Sequence, residues 1–515
     1  MSGLVFESAP PIVASAPNRS DIACFIGFVS RRNTPLPSPL AEWLKEQGWT
    51  DGSGTLIKDL LDLPVPIDAW NQFDQLFAWE QRALDQNNQI GSTYLGAAVR
   101  SFFAQGGRKC YVIRVGDPWR LTTPQSERLA QIKKLIPGYP AGFAGSAVDR
   151  TTWHGVGHLF GLPDVSYLCL PDLADAVAMD RQRLDPPNLP PSPLEQFVEC
   201  SAPVPQMLDR AARLFQAPRC DVDSYNAWTT ALWLVADLLI RQQREVQLIA
   251  SVPLPETDLD LLTFFTKPTP GFVPPLAIAV QEQKKGLASA FVQLAYPWVQ
   301  TPGSTNLPEQ LESPDAVLAG VLARNALTRG SFRSAANLHL ADVQQVYPIL
   351  TRDLLQQSQP DSATRSTRHT LPERISLLGS TPSGLRLLSD VTTSLDESYR
   401  PASVNRLVAA IVRAARRLGE EVVFEASGER LWMRLRDSLT TLMSGLQQAG
   451  ALQDAGTTAF AVRCDRDTMT QQYIDQGRVI AHIEFVAAAP IDQITIVLAL
   501  NTGGQVSLIP SQEAA

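Results

Sequence analysis

The sequence predicts two fold types in one chain: an α/β domain, then a smaller α+β domain. Three observations predict this. Between residues 22 and 298, apolar strand-like runs alternate with helical ones, the pattern of a parallel or mixed sheet covered by helices. From Ser403 to Leu500, two amphipathic helices precede three strand-like runs, which makes a compact helix-on-sheet module. The 515 residues suffice for two or three domains with substantial cores.

Taken in order, residues 1–20 read as an extended arm. Leu4, Val5, Phe6 and Glu7 are too apolar for a solvated tail, and Pro10-Pro11 keeps them out of a helix. Residues 21–300 form the α/β domain. Strands are expected at 22–30, 109–115, 166–170, 246–252 and 288–295. Helices are expected at 70–79, 94–104 and 227–242, with a short one at 40–46 inside a Pro- and Gly-rich loop. Asp68 and Ser92 are placed to cap two of these helices. Residues 118–165 lack periodicity and read as a peripheral insertion, and 186–193 as a proline-rich loop. Residues 301–400 read as a connecting region. It holds a polar loop at 356–368 and a hairpin of 375–378 with 385–388.

Residues 401–500 form the second domain. On its first helix Val404, Leu407, Val408, Ile411, Ala415 and Leu418 make one stripe at about 100° per residue, and Arg406, Arg413 and Arg417 lie opposite. Leu431, Leu435, Leu439, Leu442 and Leu446 share a face of the second helix, which Ser427 can cap and Gly450 ends. Strands follow at 458–464, 478–486 and 493–500. Residues 501–515 are a second arm: Gly503 and Gly504 form a hinge before the strand-like Gln505, Val506, Ser507, Leu508 and Ile509. That strand has two options, folding back as a hairpin or joining a neighbour.

Composition narrows the function. With 44 basic and 52 acidic residues the net charge is −8, and without a basic block the chain is a poor partner for nucleic acid. No apolar run approaches the ~18 residues of a membrane span, and the N-terminus lacks signal-peptide features, so synthesis and folding in the cytosol are expected. Six scattered cysteines without a CxxC pair read as reduced, buried thiols. His154 and His158 have zinc-protease spacing, but Gly155 stands where a general-base Glu is needed, and Gly157 and Gly161 disfavour a helix. Phe160 breaks a dinucleotide fingerprint, and neither a Walker A loop nor a GxSxG elbow occurs. Asp465, Asp467 and Asp475 fit no calcium loop and read as turn residues. No catalytic residue, metal ligand or cofactor is therefore assigned.

A series of short segments resembles contractile tail sheath proteins of phages and related injection systems. In the second domain these are Val404-Asn405-Arg406-Leu407, Val423-Phe424-Glu425, Gly450-Ala451-Leu452, Ala459-Phe460-Ala461-Val462 and Ile474-Asp475-Gln476-Gly477-Arg478. Earlier come Gly3-Leu4-Val5-Phe6-Glu7, Gly106-Gly107 with Cys110-Tyr111-Val112, Tyr296-Pro297-Trp298 and Ala335-Ala336-Asn337, the last with alanine where the family usually has proline. The resemblance covers the N-terminal strand, most of 20–115, and 290–500; residues 118–290 match only in outline. It implies a multi-domain sheath-type fold with an outer α/β domain, and a non-enzymatic subunit polymerising as six-fold rings around an Hcp-like inner tube. Both arms would add strands to neighbours, and a helix of the second domain would face the tube, for which Arg406, Arg413 and Arg417 are the candidates. Baseplate and terminator or cap proteins would be further partners. The alternatives are a baseplate or cap adaptor, and an α/β enzyme with an unrecognised site.

Overall fold

The structure, a computed structural model, describes residues 19–50, 59–85, 89–184, 212–256, 287–351, 355, 358–360, 368–422, 425, 428–453, 459–469, 472, 478–488, 494–500 and 506–509. Leu4 to Glu7, Gly503, Gly504 and Gln505 lie outside these residues, as does the proline-rich loop.

The strands of the two main sheets, in chain order, are β1 (Ala23–Phe28), β2 (Pro64–Ile67), β3 (Cys110–Gly116), β4 (Tyr167–Cys169), β5 (Gln247–Ser251), β6 (Val292–Tyr296), β7 (Ser376–Thr381), β8 (Gly384–Leu387), β9 (Phe460–Arg463), β10 (Val479–Phe485), β11 (Ile494–Leu500) and β12 (Val506–Ile509). The helices of eleven residues or more are α1 (Tyr94–Ala104), α2 (Gln125–Leu135), α3 (Val222–Gln242), α4 (Asp315–Thr328), α5 (Ala402–Val422) and α6 (Glu429–Gln448).

The large sheet runs β8-β7-β6-β5-β4-β1-β3-β2. Its six inner strands are parallel, and β2 and β8 close the edges antiparallel. Every residue of β1 and β3 is buried, as expected of strands covered on both faces. One core holds Ile26, Ile113, Leu168, Leu232 and Leu248; the other holds Phe25, Val112, Phe102, Val317 and Leu322. The α1 helix begins at Thr93, whose hydroxyl accepts from Gly96 N at 3.1 Å, so Thr93 and not Ser92 is the cap. On the same face, α4 packs against α1.

Two boundaries differ from the sequence reading. The hairpin forms, with Thr381 opposite Gly384, but its first strand pairs parallel with β6. The described residues of 301–400 therefore pack with the large domain: β7 completes its sheet and α4 its core. Residues 118–165 are not peripheral either. Ile132, Leu135 and Ile136 have no exposed surface, and Val156, Leu159 and Leu162 join the same core. The low periodicity has a physical cause, since α2 carries few apolar residues among polar ones and Gly155–Gly161 is a 3-10 turn despite its glycines.

In the second domain β9-β10-β11-β12 form an antiparallel sheet. Its core joins Leu407 and Ile411 of α5, Leu435 and Met443 of α6, and Ile483 and Phe485 of β10. A positive φ of 77° at Gly450 ends α6, a conformation glycine adopts at little cost.

Candidate functional site: the seam between the domains

A helix with one apolar stripe normally leaves its polar face in water. The α5 helix does not. Arg406 and Arg413 are only 4% and 5% exposed, because the large domain packs over that face. Arg406 makes a bidentate pair with Asp390, Nη1 to Oδ1 at 3.0 Å and Nη2 to Oδ2 at 2.6 Å, while its Nε donates to Ser331 O at 3.0 Å. Asp390 also accepts from Ala335 N at 2.7 Å and Gln293 Nε2 at 2.9 Å. Burial works to raise the pKa of Asp390, but the Arg406 charge and these hydrogen bonds outweigh it and hold the carboxyl below its ordinary range. The pair is thus an ionised one, with its lone pairs met by donors.

Two turns further along, Arg413 gathers four oxygens. Its Nη1 donates to Arg19 O at 2.6 Å and Ser166 Oγ at 2.9 Å, and its Nη2 to Val165 O at 2.8 Å and Glu245 O at 3.2 Å. Burial pulls its pKa down to about 10, which leaves it charged at neutral pH. Arg416 pairs with the buried carboxylate of Glu245. Between these anchors Ala409 and Ala410 let the domains approach, leaving a cavity of about 10 Å³, no larger than one water.

The tube-facing reading of Arg406 and Arg413 is therefore corrected. Both stripes of α5 are buried, the arginine stripe by polar acceptors that lie far away in sequence. Arg417 alone of the three stays partly exposed. Asp390, Ser331, Ser166 and Glu245 were not legible as partners, since each lies at least 16 residues from the arginine it meets. The strand 506–509 folds back in this single chain, with Val506 opposite Leu500 and Ile509 opposite Val497.

An open α/β sheet offers a ligand site where the strand order reverses, here beyond the C-terminal ends of β1 and β4. Buried side chains occupy that crevice. The Asp172 carboxylate accepts from Phe28 N at 2.7 Å and lies over Gly27, where a Cβ would stand 2.2 Å from it. Burial raises Asp172 to a pKa of about 7. Beside it Asp175 takes Arg82 Nη2 at 2.6 Å, Trp119 Nε1 at 3.0 Å, and Arg181. His154 Nδ1 and His158 Nε2 lie 2.5 Å and 3.1 Å from the two oxygens of Asp62, so they share a carboxylate. Among the described residues no group of three potential ligands could hold a metal ion, and no helix is long and apolar enough to cross a membrane. Cys24, Cys110, Cys169, Cys220 and Cys464 are free and buried.

An eight-stranded mixed sheet joined through one helix to a two-helix, four-stranded module is a fold that this chain shares with solved chains of contractile assemblies. The chain is similar to a chain in the anti-feeding prophage baseplate in its contracted state, with TM-score 0.57, 17% identity, and 100% of this chain and 98% of that one covered. It is likewise similar to a chain of the anti-feeding prophage contracted helical sheath (TM-score 0.52, 19% identity, 96% and 97% covered). A third is from the contracted sheath complex of an extracellular contractile injection system, PVC (TM-score 0.52, 18% identity, 95% and 94% covered). No protein-family model and no curated protein matches the chain.

Proposed function

We propose that this chain is a structural sheath subunit of a phage-tail-like contractile injection system. It polymerises as helical six-fold rings around an Hcp-like tube and contracts to drive that tube through an envelope. The observation carrying this reading is likeness over both domains at once, with 94% or more of each compared chain covered. Assembly takes place in the cytoplasm, and baseplate and cap proteins bound the polymer. The role is structural, because energy held in interfaces between subunits needs no nucleotide site.

The arms supply the links. Residues 506–509 pair within this chain through backbone bonds that a neighbour's strand can replace, and Leu4 to Glu7 add to an edge in the same way, with Gly503 and Gly504 as the hinge. With Arg406 and Arg413 buried, the tube-facing surface passes to Arg417 and to the exposed face of α6, where Arg430, Met433, Arg434 and Arg436 lie. Electron microscopy of the purified full chain, alone and with tube protein, tests the proposal. Long hollow cylinders are expected. Only discrete small particles under both conditions would overturn it in favour of an adaptor.

A further inference from the structure

At the opposite end of the large sheet from the filled crevice, beside the N-terminal ends of β3 and β4, lies an open cleft of about 440 Å³. That volume falls within the range of small-molecule sites. Its walls are aromatic: Trp43, Trp49, Trp153 and Tyr111. Such rings offer flat apolar faces with specific stacking geometry. Polar groups of both kinds stand among them. Asp164 holds Tyr111 OH at 3.1 Å and Lys109 Nζ at 3.3 Å through the same oxygen, Oδ2, so among the described residues its Oδ1 remains available as an acceptor. Arg150 donates from Nη2 to Gln47 O at 2.6 Å, which leaves Nε and Nη1 without a partner among the described residues.

Charge selects the ligand. The Arg and Asp side chains lining the cleft are one of each, Arg150 and Asp164, so a net anion or cation finds no surplus of the opposite sign. An aromatic cage for a cation is already served internally, since the Arg150 guanidinium lies 3.9 Å from the Trp49 ring centre. A purely apolar ligand would strand the Asp164 and Arg150 groups without partners. We infer that this cleft binds a neutral sugar residue, its C–H face against Trp153 and its hydroxyls donating to Asp164 and accepting from Arg150. The chain would then carry a glycan-binding site on its large domain, next to the seam contacts at Val165 and Ser166 but on side chains those contacts do not use.

The full chain is titrated with glucose, galactose, mannose and N-acetylglucosamine, each as the free sugar and its disaccharide, while tryptophan fluorescence and saturation-transfer NMR are followed. A saturable response to at least one sugar is expected. Trp153→Ala and, as a rim change with little bearing on folding, Asp164→Asn should each weaken it by about tenfold or more, equivalent to about 1.4 kcal/mol. The melting temperature of Asp164→Asn should stay at the parent value. No response to any sugar, a response unchanged in Asp164→Asn, or saturable binding of tetramethylammonium or adenosine in place of the sugars would overturn the assignment.

Discussion

The two sheets of this molecule are finished in opposite ways. The large one is complete within the chain: both faces are covered, and its edges are blunted. Its edge strand β2 carries Pro64 and Pro66, which cannot donate to a ladder, and the other edge is the short β8 at the end of a tight hairpin. The small sheet is packed by α5 and α6, while its outer strand β9 is only partly buried and its last strand β12 is four residues long. The two sheets thus differ at their edges, and the seam through Arg406 and Arg413 ties the two domains into one unit.

The comparison breaks most severely if the large domain loses its interior. Deleting residues 122–152 removes Ile132, Leu135 and Ile136, and should abolish soluble, cooperatively melting protein by circular dichroism. Leu135→Ala alone should cost about 2–5 kcal/mol in denaturant unfolding. Next comes the seam. Asp390→Ala leaves the Arg406 charge buried and unpaired, for an expected loss of about 3–5 kcal/mol. Scanning calorimetry should then resolve two transitions where the parent shows one. The double change Asp390→Leu with Arg406→Met should recover part of the loss.

The pH dependence sharpens the contrast from the side of the large domain. Burial raises Glu312 to a pKa of about 8 and Asp315 to about 6, against ordinary values of 4.5 and 3.8. The folded chain therefore holds protons that the unfolded chain gives up. The stability contributed by these two groups is fully present below their ordinary values and is lost as pH rises towards about 8, where the Glu312 contribution is exhausted. Glu312→Gln should flatten the melting temperature between about pH 5 and 8. The smallest stability effect belongs to the arms. Removing 1–12 or 503–515 should shift the melting temperature little and yet abolish cylinders. Gly503→Pro with Gly504→Pro should act likewise. Normal cylinders from these variants would separate polymerisation from the arms altogether.

Much of this was legible in the sequence. The strand–helix alternation, the turn at Thr381–Gly384 and the two leucine-rich helices follow from local periodicity, which survives wherever a face meets water or a core. What failed did so where tertiary contacts overrule local pattern. Arg406 and Arg413 make a polar stripe whose acceptors come from residues 19, 165, 166, 245, 331 and 390, and no window of sequence contains them. The parallel pairing of β7 with β6 is equally non-local. The helix at 125–135 carries few apolar residues among polar ones, and the 3-10 segment at 155–161 does not follow the α-helical period. The aromatic cleft shows why spacing alone misses a site, since Trp43, Trp49, Tyr111 and Trp153 meet only in the fold.

Arg413 also sets an order in time. Its acceptor Ser166 leaves the ribosome 247 residues earlier, which at ~5–20 residues per second means a wait of roughly 12–50 s. Through that interval the oxygens at Arg19, Val165 and Ser166, and later that of Glu245, await Arg413, and the nascent chain has no second sheet. The large domain is therefore tied at Arg19 and Ser166 only once a helix of the second domain has been made.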